Sequence, residues 1–264
     1  MRSYFRFMQF ISHAALTLYF HGRIFGVRRL PTTGGVLLAS NHQSFFDPIA
    51  VTCALYRESN YLARDTLFRN PLFKRLIESL NTFPVKRGAA DVGAVKEILR
   101  RLREGRVVLV FPEGTRTRDG SIGQINVNSM SLAKRAAAAV FPVVIDGAFE
   151  AWPRNRLLPR PRTIYVTCCE PITPAQVAEW SAERIAEVVA EKMSTALAES
   201  RRKRRRAAAP EGLRGGHGAA AFVLRRDDPR HLRQDAVQER IQVGVERRPV
   251  AHGLLHAPQD AGQR

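Results

Sequence analysis

The sequence predicts an α/β protein with a central sheet covered by helices. Between Pro31 and Pro174, short runs rich in Val, Leu and Ile alternate with amphipathic stretches of helical length. This pattern is typical of strands that alternate with helices. Of the 264 residues, 45% are hydrophobic and 25% are charged. That composition supports a sizeable core and excludes a wholly disordered chain.

Four runs are predicted as buried strands because they are apolar along almost their whole length. They are residues 35–40 (GVLLAS), 106–111 (RVVLVF), 140–146 (VFPVVID) and 163–169 (TIYVTCC). Weaker strands are predicted near Tyr61 and Phe83. Helices are predicted over residues 91–103 and 129–139. A single closing helix is predicted over 174–200, with Thr173 as its N-cap and Pro174 in its first turn.

The N-terminal segment, residues 2–20, predicts an aromatic-rich amphipathic helix. Its apolar face would carry Tyr4, Phe7, Met8, Ile11, Ala14, Ala15 and Leu18. The apolar stretch is too short and interrupted to cross a bilayer. A secretory signal is not favoured, because Arg6 and His13 interrupt the apolar part and no small-residue cleavage site follows. Two interpretations stay open: a helix lying in a membrane interface, or one that docks its apolar face on the domain.

The chain is strongly basic, and the charge is concentrated near one end. The net charge is +18, which predicts anionic partners. Residues 201–264 hold 15 Lys and Arg against 7 Asp and Glu, and they begin with RRKRRR. We predict that this segment is a disordered basic tail that contacts solvent or an anionic membrane surface rather than nucleic acid. Three cysteines, two of them adjacent, indicate reduced buried thiols and exclude a disulfide scaffold.

A polar cluster, NHQSFFD, follows the first predicted strand and contains His42 and Asp47. These residues are five apart, so a continuous helix would point them in different directions, and they can pair only across a turn. Once paired, a neutral imidazole oriented by a carboxylate could remove a proton from a hydroxyl group. The alternative is that Asp47, followed by Pro48, simply caps a short helix.

A second cluster, FPEGTR, follows the strand at 106–111, and Gly114 permits a tight turn there. If the two strands are parallel, Glu113, Thr115 and Arg116 lie at the same sheet edge as His42. An arginine and a hydroxyl beside exposed amides suit a phosphate group. A third cluster, PVKRG, contains Lys86 and Arg87, which either bind phosphate or are solvated charges.

These motifs resemble those of the glycerolipid acyltransferase family. NHQSFFD matches the family's NHxxxxD motif, FPEGTR matches its FPEGTR motif, and PVKRG and VFPVVIDG resemble its arginine-bearing and proline-bearing segments. The likeness covers roughly residues 20–175. It implies three regions: an N-terminal membrane-interface helix (1–25), an acyltransferase domain (26–200) and the basic tail (201–264).

The resemblance implies a reaction and roles for its residues. The chain would be an O-acyltransferase that moves a fatty acyl group from acyl-CoA or acyl-ACP to a lysophospholipid. The acceptor would be 1-acylglycerol-3-phosphate and the product phosphatidate. His42 would be the general base and Asp47 its orienting partner, with no metal or further cofactor. The acceptor-binding residues would be Arg87, Glu113, Gly114, Thr115 and Arg116. The enzyme would sit peripherally on the cytoplasmic side of the cell membrane.

The sequence departs from the family pattern after the second motif. Residues 124–130 (QINVNSM) replace an aromatic–basic–glycine stretch, and residues 136–140 replace a Gly-Val-Pro turn. Two alternatives therefore stay open. One is a different lysolipid acceptor, such as a lyso-ornithine lipid. The other is a basic protein with a decayed site that binds anionic lipid or nucleic acid.

Overall fold

A computed structural model describes residues 3–53, 55–85, 91–153 and 155–208 of the chain. Seven strands form one sheet in the order β1-β7-β6-β2-β5-β3-β4. The strands are β1 (Arg23–Phe25), β2 (Val36–Ser40), β3 (Ser59–Arg64), β4 (Thr82–Val85), β5 (Val107–Val110), β6 (Ala139–Asp146) and β7 (Tyr165–Cys168). Strands β2 to β6 run parallel to one another, whereas β7 is antiparallel to β6 and parallel to β1.

Within the described ranges, eight α-helices surround this sheet. They are α1 (Ser3–Leu18), α2 (Asp47–Thr52), α3 (Pro71–Ser79), α4 (Val92–Arg103), α5 (Val127–Ala136), α6 (Ala148–Ala151), α7 (Pro174–Glu179) and α8 (Ala182–Ala208). Short 3₁₀ turns occur at Val27–Arg29 and Asp65–Phe68. The predicted α/β class, with a central sheet covered by helices, is confirmed.

The two faces of the sheet bury separate apolar layers, because alternate strand residues point to opposite sides. Leu37, Val108 and Val140 pack with α4, α5, α7 and α8 on one face. Leu38 and Leu109 pack with α1, α2 and α6 on the other face. Strands β2, β5 and β6 are buried along their whole length. Their carboxyl ends therefore meet at one edge of a rigid sheet.

Helix α1 forms where the periodicity predicts it, but its predicted apolar face is not the face that packs on the domain. Phe5 and Leu16 are its buried residues. The side chain of Gln9, from the predicted polar face, donates to the carbonyls of Thr52 (3.1 Å) and Leu55 (2.6 Å). Other large aromatic and aliphatic residues of α1 remain exposed: Tyr4, Phe7, Phe10, Ile11 and Leu18. The docking interpretation of that face is therefore wrong.

The C-terminal prediction needs two corrections. The single helix predicted over 174–200 is two helices, because Trp180 is extended and the Ser181 hydroxyl accepts the backbone N–H of Arg184, which starts a new helix. The second, α8, continues to Ala208, so residues 201–208 are helical and the predicted boundary at residue 200 is wrong. Thr173 does cap α7, in a capping box with Gln176. The rest of the predicted tail, 209–264, lies outside the described residues.

Candidate active site

His42 and Asp47 meet across a turn at the end of β2. His42 Nδ1 lies 2.8 Å from Asp47 Oδ2. The same carboxylate oxygen accepts the backbone N–H groups of Gln43 (2.5 Å) and Ser44 (2.6 Å). Helix α2 begins at Asp47 with Phe46 in the N-cap position and no side-chain cap. The capping interpretation of Asp47 is therefore wrong, and the carboxylate is held for the imidazole.

The contacts of Asp47 determine which nitrogen of the His42 imidazole carries the ring proton. The Asp47 side chain is fully buried. Burial raises its pKa, and the hydrogen bonds from His42, Ser44 and Gln43 oppose that rise. Since Oδ2 accepts both backbone N–H groups, it also acts as the acceptor for His42, which places the ring proton on Nδ1. Nε2 is then the nitrogen that can take a proton from a bound hydroxyl.

The backbone of His42 joins the two predicted clusters. Its N–H donates to Glu113 Oε1 (2.8 Å), and its carbonyl accepts the N–H of Thr117 (2.7 Å). The imidazole stacks on the Phe111 ring, with centroids 4.0 Å apart and an interplanar angle of 17°. Strands β2 and β5 are adjacent and parallel. The structure thus brings the clusters together at one sheet edge.

The Glu113 carboxylate links two loops through hydrogen bonds. Its Oε1 accepts from His42, and its Oε2 accepts the N–H of Gly123 (2.8 Å). A Cβ at Gly123 would lie 2.9 Å from Glu113 Oε2, so glycine leaves room for this contact. Burial raises the Glu113 pKa, and the two backbone hydrogen bonds oppose the rise. Both carboxylate oxygens accept backbone N–H groups, whereas the family resemblance implies that Glu113 binds the acceptor.

The rest of this turn borders an open cleft of about 760 Å³. Gly114 adopts a positive φ of 69°, and its N–H closes the turn on the carbonyl of Phe111 (3.0 Å). Thr115 is exposed. The Arg116 guanidinium carbon lies 3.6 Å from the centroid of the Phe45 ring, so stacking fixes the plane of this cation. Thr115 and Arg116 therefore offer a hydroxyl and a positioned positive charge to an anionic ligand.

An apolar cavity of about 360 Å³ lies between α1, α2 and α3. Met8 of α1, Ile49 of α2 and Leu76 of α3 line it, and Phe45 extends it towards Arg116. Tyr61, whose hydroxyl is 2.6 Å from Thr52 Oγ1, also lines the cavity. Its dimensions and lining suit an aliphatic chain. Lys86 and Arg87 of the third predicted cluster lie outside the described residues.

Part of this chain is similar in sequence to known proteins. The sequence profile described as Acyltransferase matches residues 23–146, which include both motifs. The chain is 29% identical over 163 residues to the 1-acyl-sn-glycerol-3-phosphate acyltransferase of Pseudomonas aeruginosa, covering 60% of each protein. These matches support the resemblance to the glycerolipid acyltransferase family that the two motifs indicate. It is also 28% identical over 155 residues to the chloroplastic LPAT1 acyltransferase of Arabidopsis thaliana, covering 56% of this chain.

A solved structure of a similar protein supports the fold of this chain. The 1-acyl-sn-glycerophosphate acyltransferase PlsC of Thermotoga maritima superposes with a TM-score of 0.66 at 24% identity. The match covers 75% of this chain and 79% of that protein. By contrast, the match spans only 43% of the length of Arabidopsis thaliana LPAT1 and 45% of the length of the chloroplastic acyltransferase BAT2 of Brassica napus.

Sequence reasoning missed several residues that hold the family motifs in place. The buried Asn41 amide donates to the Ile145 carbonyl (2.9 Å) and accepts its N–H (2.7 Å), which ties the end of β2 to β6. Gln43 Nε2 donates to the Gly120 carbonyl (3.0 Å), which also accepts from Arg201 of α8 (2.8 Å). Asn41 and Gln43 are polar residues at the end of a buried strand, and that position is a usable signal. Arg201 gives no such signal, since it lies 81 residues from Gly120.

Proposed function

We propose that this chain transfers a fatty acyl group from acyl-CoA or acyl-ACP to the free hydroxyl of 1-acylglycerol-3-phosphate, giving phosphatidate. The observation that carries the proposal is the 2.8 Å contact between His42 Nδ1 and Asp47 Oδ2. It leaves Nε2 as a base at the sheet edge where Arg116 supplies a fixed cation. The names of the matched relatives support the choice of acceptor.

The proposed reaction is a direct transfer between two substrates. His42 Nε2 accepts the hydroxyl proton while the hydroxyl oxygen attacks the thioester carbonyl carbon. The tetrahedral intermediate then collapses, the carbon–sulfur bond breaks, and the imidazolium returns its proton to the leaving thiolate. Asp47 stabilises the transient imidazolium. This sequence forms no acyl-enzyme and uses no metal ion or cofactor besides the thioester.

The acceptor phosphate is proposed to bind at Arg116 and Thr115, with Arg87 as a further ligand from the third motif. Arg116 is the only one of the two arginines within the described part of the chain. Its guanidinium is oriented by the Phe45 ring. A planar guanidinium can bind two phosphate oxygens at once, which fixes the direction of the glycerol hydroxyl relative to His42. The apolar cavity beside Phe45 is proposed to accommodate an acyl chain.

We further propose a peripheral location on the cytoplasmic side of the cell membrane. No helix within the described ranges is long and apolar enough to cross a bilayer. Helix α1 instead exposes an apolar stripe at helical spacing, formed by Tyr4, Phe7, Ile11 and Leu18. An amphipathic helix with this arrangement can lie in the membrane interface, where lysophospholipids reside.

The decisive test is thioester-dependent acylation by purified protein against a panel of lysophospholipids and lyso-ornithine lipid. We expect acylation of 1-acylglycerol-3-phosphate, and loss of it in His42→Ala with the fold retained. His13→Ala, in α1, is the matched control and should keep the rate on a dispersed short-chain acceptor. Full turnover by His42→Ala would overturn the mechanism. Preference for another lysolipid would overturn the acceptor.

A further inference from the structure

The connection between α6 and β7 presents two adjacent leucines to solvent. The exposed fractions of Leu157 and Leu158 are 88% and 73%, among the highest for large apolar residues in the described part of the chain. Single exposed leucines are common on protein surfaces, but adjacent ones beside another apolar patch indicate a contact surface. These two residues contribute nothing to the acyl-transfer site described above.

Hydrogen bonds hold this segment out as a defined arm, residues 155–160. The Trp152 indole N–H donates to the Arg156 carbonyl (3.1 Å), and the Arg160 N–H donates to the Ala151 carbonyl (2.8 Å). These contacts close the base of the arm on the end of α6. The exposure of the two leucines at its tip therefore results from a defined backbone conformation and not from an unfolded loop.

The arm lies beside the C-terminal end of α1. The Tyr19 hydroxyl donates to the Pro159 carbonyl (3.1 Å), and the Ile164 N–H donates to the Phe20 carbonyl (3.2 Å). The exposed stripe of α1 ends at Leu18, immediately before these contacts. The arm thus extends the same apolar surface sideways from the helix axis.

The charge around the leucines indicates what they contact. The sequence from 151 to 169 contains four arginines and no acidic residue. Of these, Arg156, Arg160 and Arg162 are exposed in the structure. Aliphatic tips flanked by arginines fit a bilayer surface, because the tips enter the acyl region while the guanidinium groups meet lipid phosphates. Nucleic acid would satisfy the arginines but would offer no apolar environment to the leucines.

We propose that Leu157 and Leu158 insert into an anionic bilayer as a second membrane contact beside α1, an inference that rests on the proposed function. A helix alone touches the membrane along a line and can roll about it. A second contact away from that line fixes the orientation. The base of the arm reaches the site through two ring contacts: Trp152 lies 5.9 Å from Phe45, and Phe45 stacks under Arg116. Insertion therefore turns the acceptor-binding side towards the lipid.

The first test is binding of the full chain to phosphatidylcholine vesicles that contain phosphatidylglycerol, measured by co-sedimentation. The double variant Leu157→Asp/Leu158→Asp should bind at least about tenfold more weakly, because two leucine side chains no longer leave water. The matched control is Val92→Asp, which adds charge at a residue that is 61% exposed on α4, across the sheet from α1. It should bind like the wild type. Equal binding by the double variant would overturn the proposal.

A second test locates the contact directly. The three native cysteines are buried, and burial raises their pKa values to about 12, 12 and 11 for Cys53, Cys168 and Cys169. A polarity-sensitive fluorophore will therefore react selectively with Leu158→Cys. Its emission should shift to shorter wavelength on the anionic vesicles, whereas a label on Val92→Cys should not respond. No shift at position 158 while the protein sediments with vesicles would overturn the proposal.

Failure of the proposed acyl transfer can be distinguished from failure of the proposed membrane contact. A wild-type chain that acylates neither dispersed nor vesicle-embedded acceptor would contradict the proposed function, and the two binding readouts would still report on the arm. If the enzyme is active, the double variant should keep its rate on a dispersed short-chain acceptor and lose rate on the vesicle-embedded one. An equal loss on both would contradict the role of the arm in membrane contact.

Discussion

Replacing Asp47 with asparagine separates the charge of this carboxylate from its geometry. Oδ2 carries all three hydrogen bonds, whereas Oδ1 has no hydrogen-bond partner in the described part of the chain. The N–H groups of Gln43 and Ser44 require an acceptor at the Oδ2 position. The asparagine carbonyl is therefore expected to take that place, with its NH₂ group at the Oδ1 position. The ring proton then stays on Nδ1, and only the negative charge is lost.

The size of the effect follows from the strength of one hydrogen bond. A bond to a charged partner contributes about 1–2 kcal/mol more than the neutral equivalent. Since 1.36 kcal/mol corresponds to about a tenfold change in rate, kcat of Asp47→Asn should fall roughly five- to thirtyfold. Asp47→Ala loses the orienting contact as well, and its kcat should fall by about 10²- to 10⁴-fold. An asparagine that presented its NH₂ to the ring would impose the wrong tautomer and cost about 10⁴-fold.

The assay is release of free thiol at saturating thioester and acceptor, with thermal unfolding as the check that each variant is folded. The expected order is wild type, then Asp47→Asn, then Asp47→Ala, with similar KM values for the acceptor. An asparagine variant within twofold of the wild type would refute the role of the charge. An asparagine variant as slow as the alanine variant would refute the argument from the unpartnered Oδ1.

Four further predictions concern stability and the surroundings of the base. Burial raises the folded-state pKa of Asp47, so the wild type should lose stability as the pH rises through that value. In denaturant titrations, the unfolding free energy of Asp47→Asn relative to that of the wild type should therefore increase above about pH 4. A difference that does not change with pH would contradict this. Arg116→Ala should raise the acceptor KM about tenfold or more with a smaller change in kcat, and a fall in kcat alone would argue against phosphate binding. Arg201→Gln should lower stability by about 1 kcal/mol and reduce kcat, because it removes one of the two hydrogen bonds that the Gly120 carbonyl accepts, whereas Arg202→Gln, at an exposed position, should change neither. Ala63→Phe should fill part of the apolar cavity and shift the preferred acyl chain to shorter lengths, and an unchanged chain-length profile would contradict the assignment of that cavity.

The elements that sequence could predict are those whose residues share one environment. Strands β2, β5 and β6 are buried on both faces, so they appear as unbroken apolar runs. Strand β1 has only three residues, too few for any pattern. Helix α3 leaves Leu72 exposed, so its apolar residues do not form a simple buried stripe. The break before α8 depends on a single serine cap within an otherwise helical sequence.

The same reasoning explains which site residues could be predicted. The pairing of His42 and Asp47 could be predicted because the two side chains contact each other over a short separation in the sequence. The contact between Glu113 and the backbone N–H of His42 could not be predicted, because a backbone N–H has no sequence signature. Arg201 was beyond reach for a further reason: its position follows from the path of α8 across the sheet rather than from any local pattern.

The contact between Arg201 and Gly120 has a consequence for synthesis of the chain. The two residues are 81 positions apart, so at about 5–20 residues per second the ribosome takes roughly 4–16 s to reach Arg201 after adding Gly120. Throughout that interval the loop bearing His42 and the Gly120 carbonyl has been synthesised, but the arginine that binds this carbonyl has not. Helix α1 precedes both residues in the chain, so its exposed apolar stripe leaves the ribosome well before the candidate site is complete.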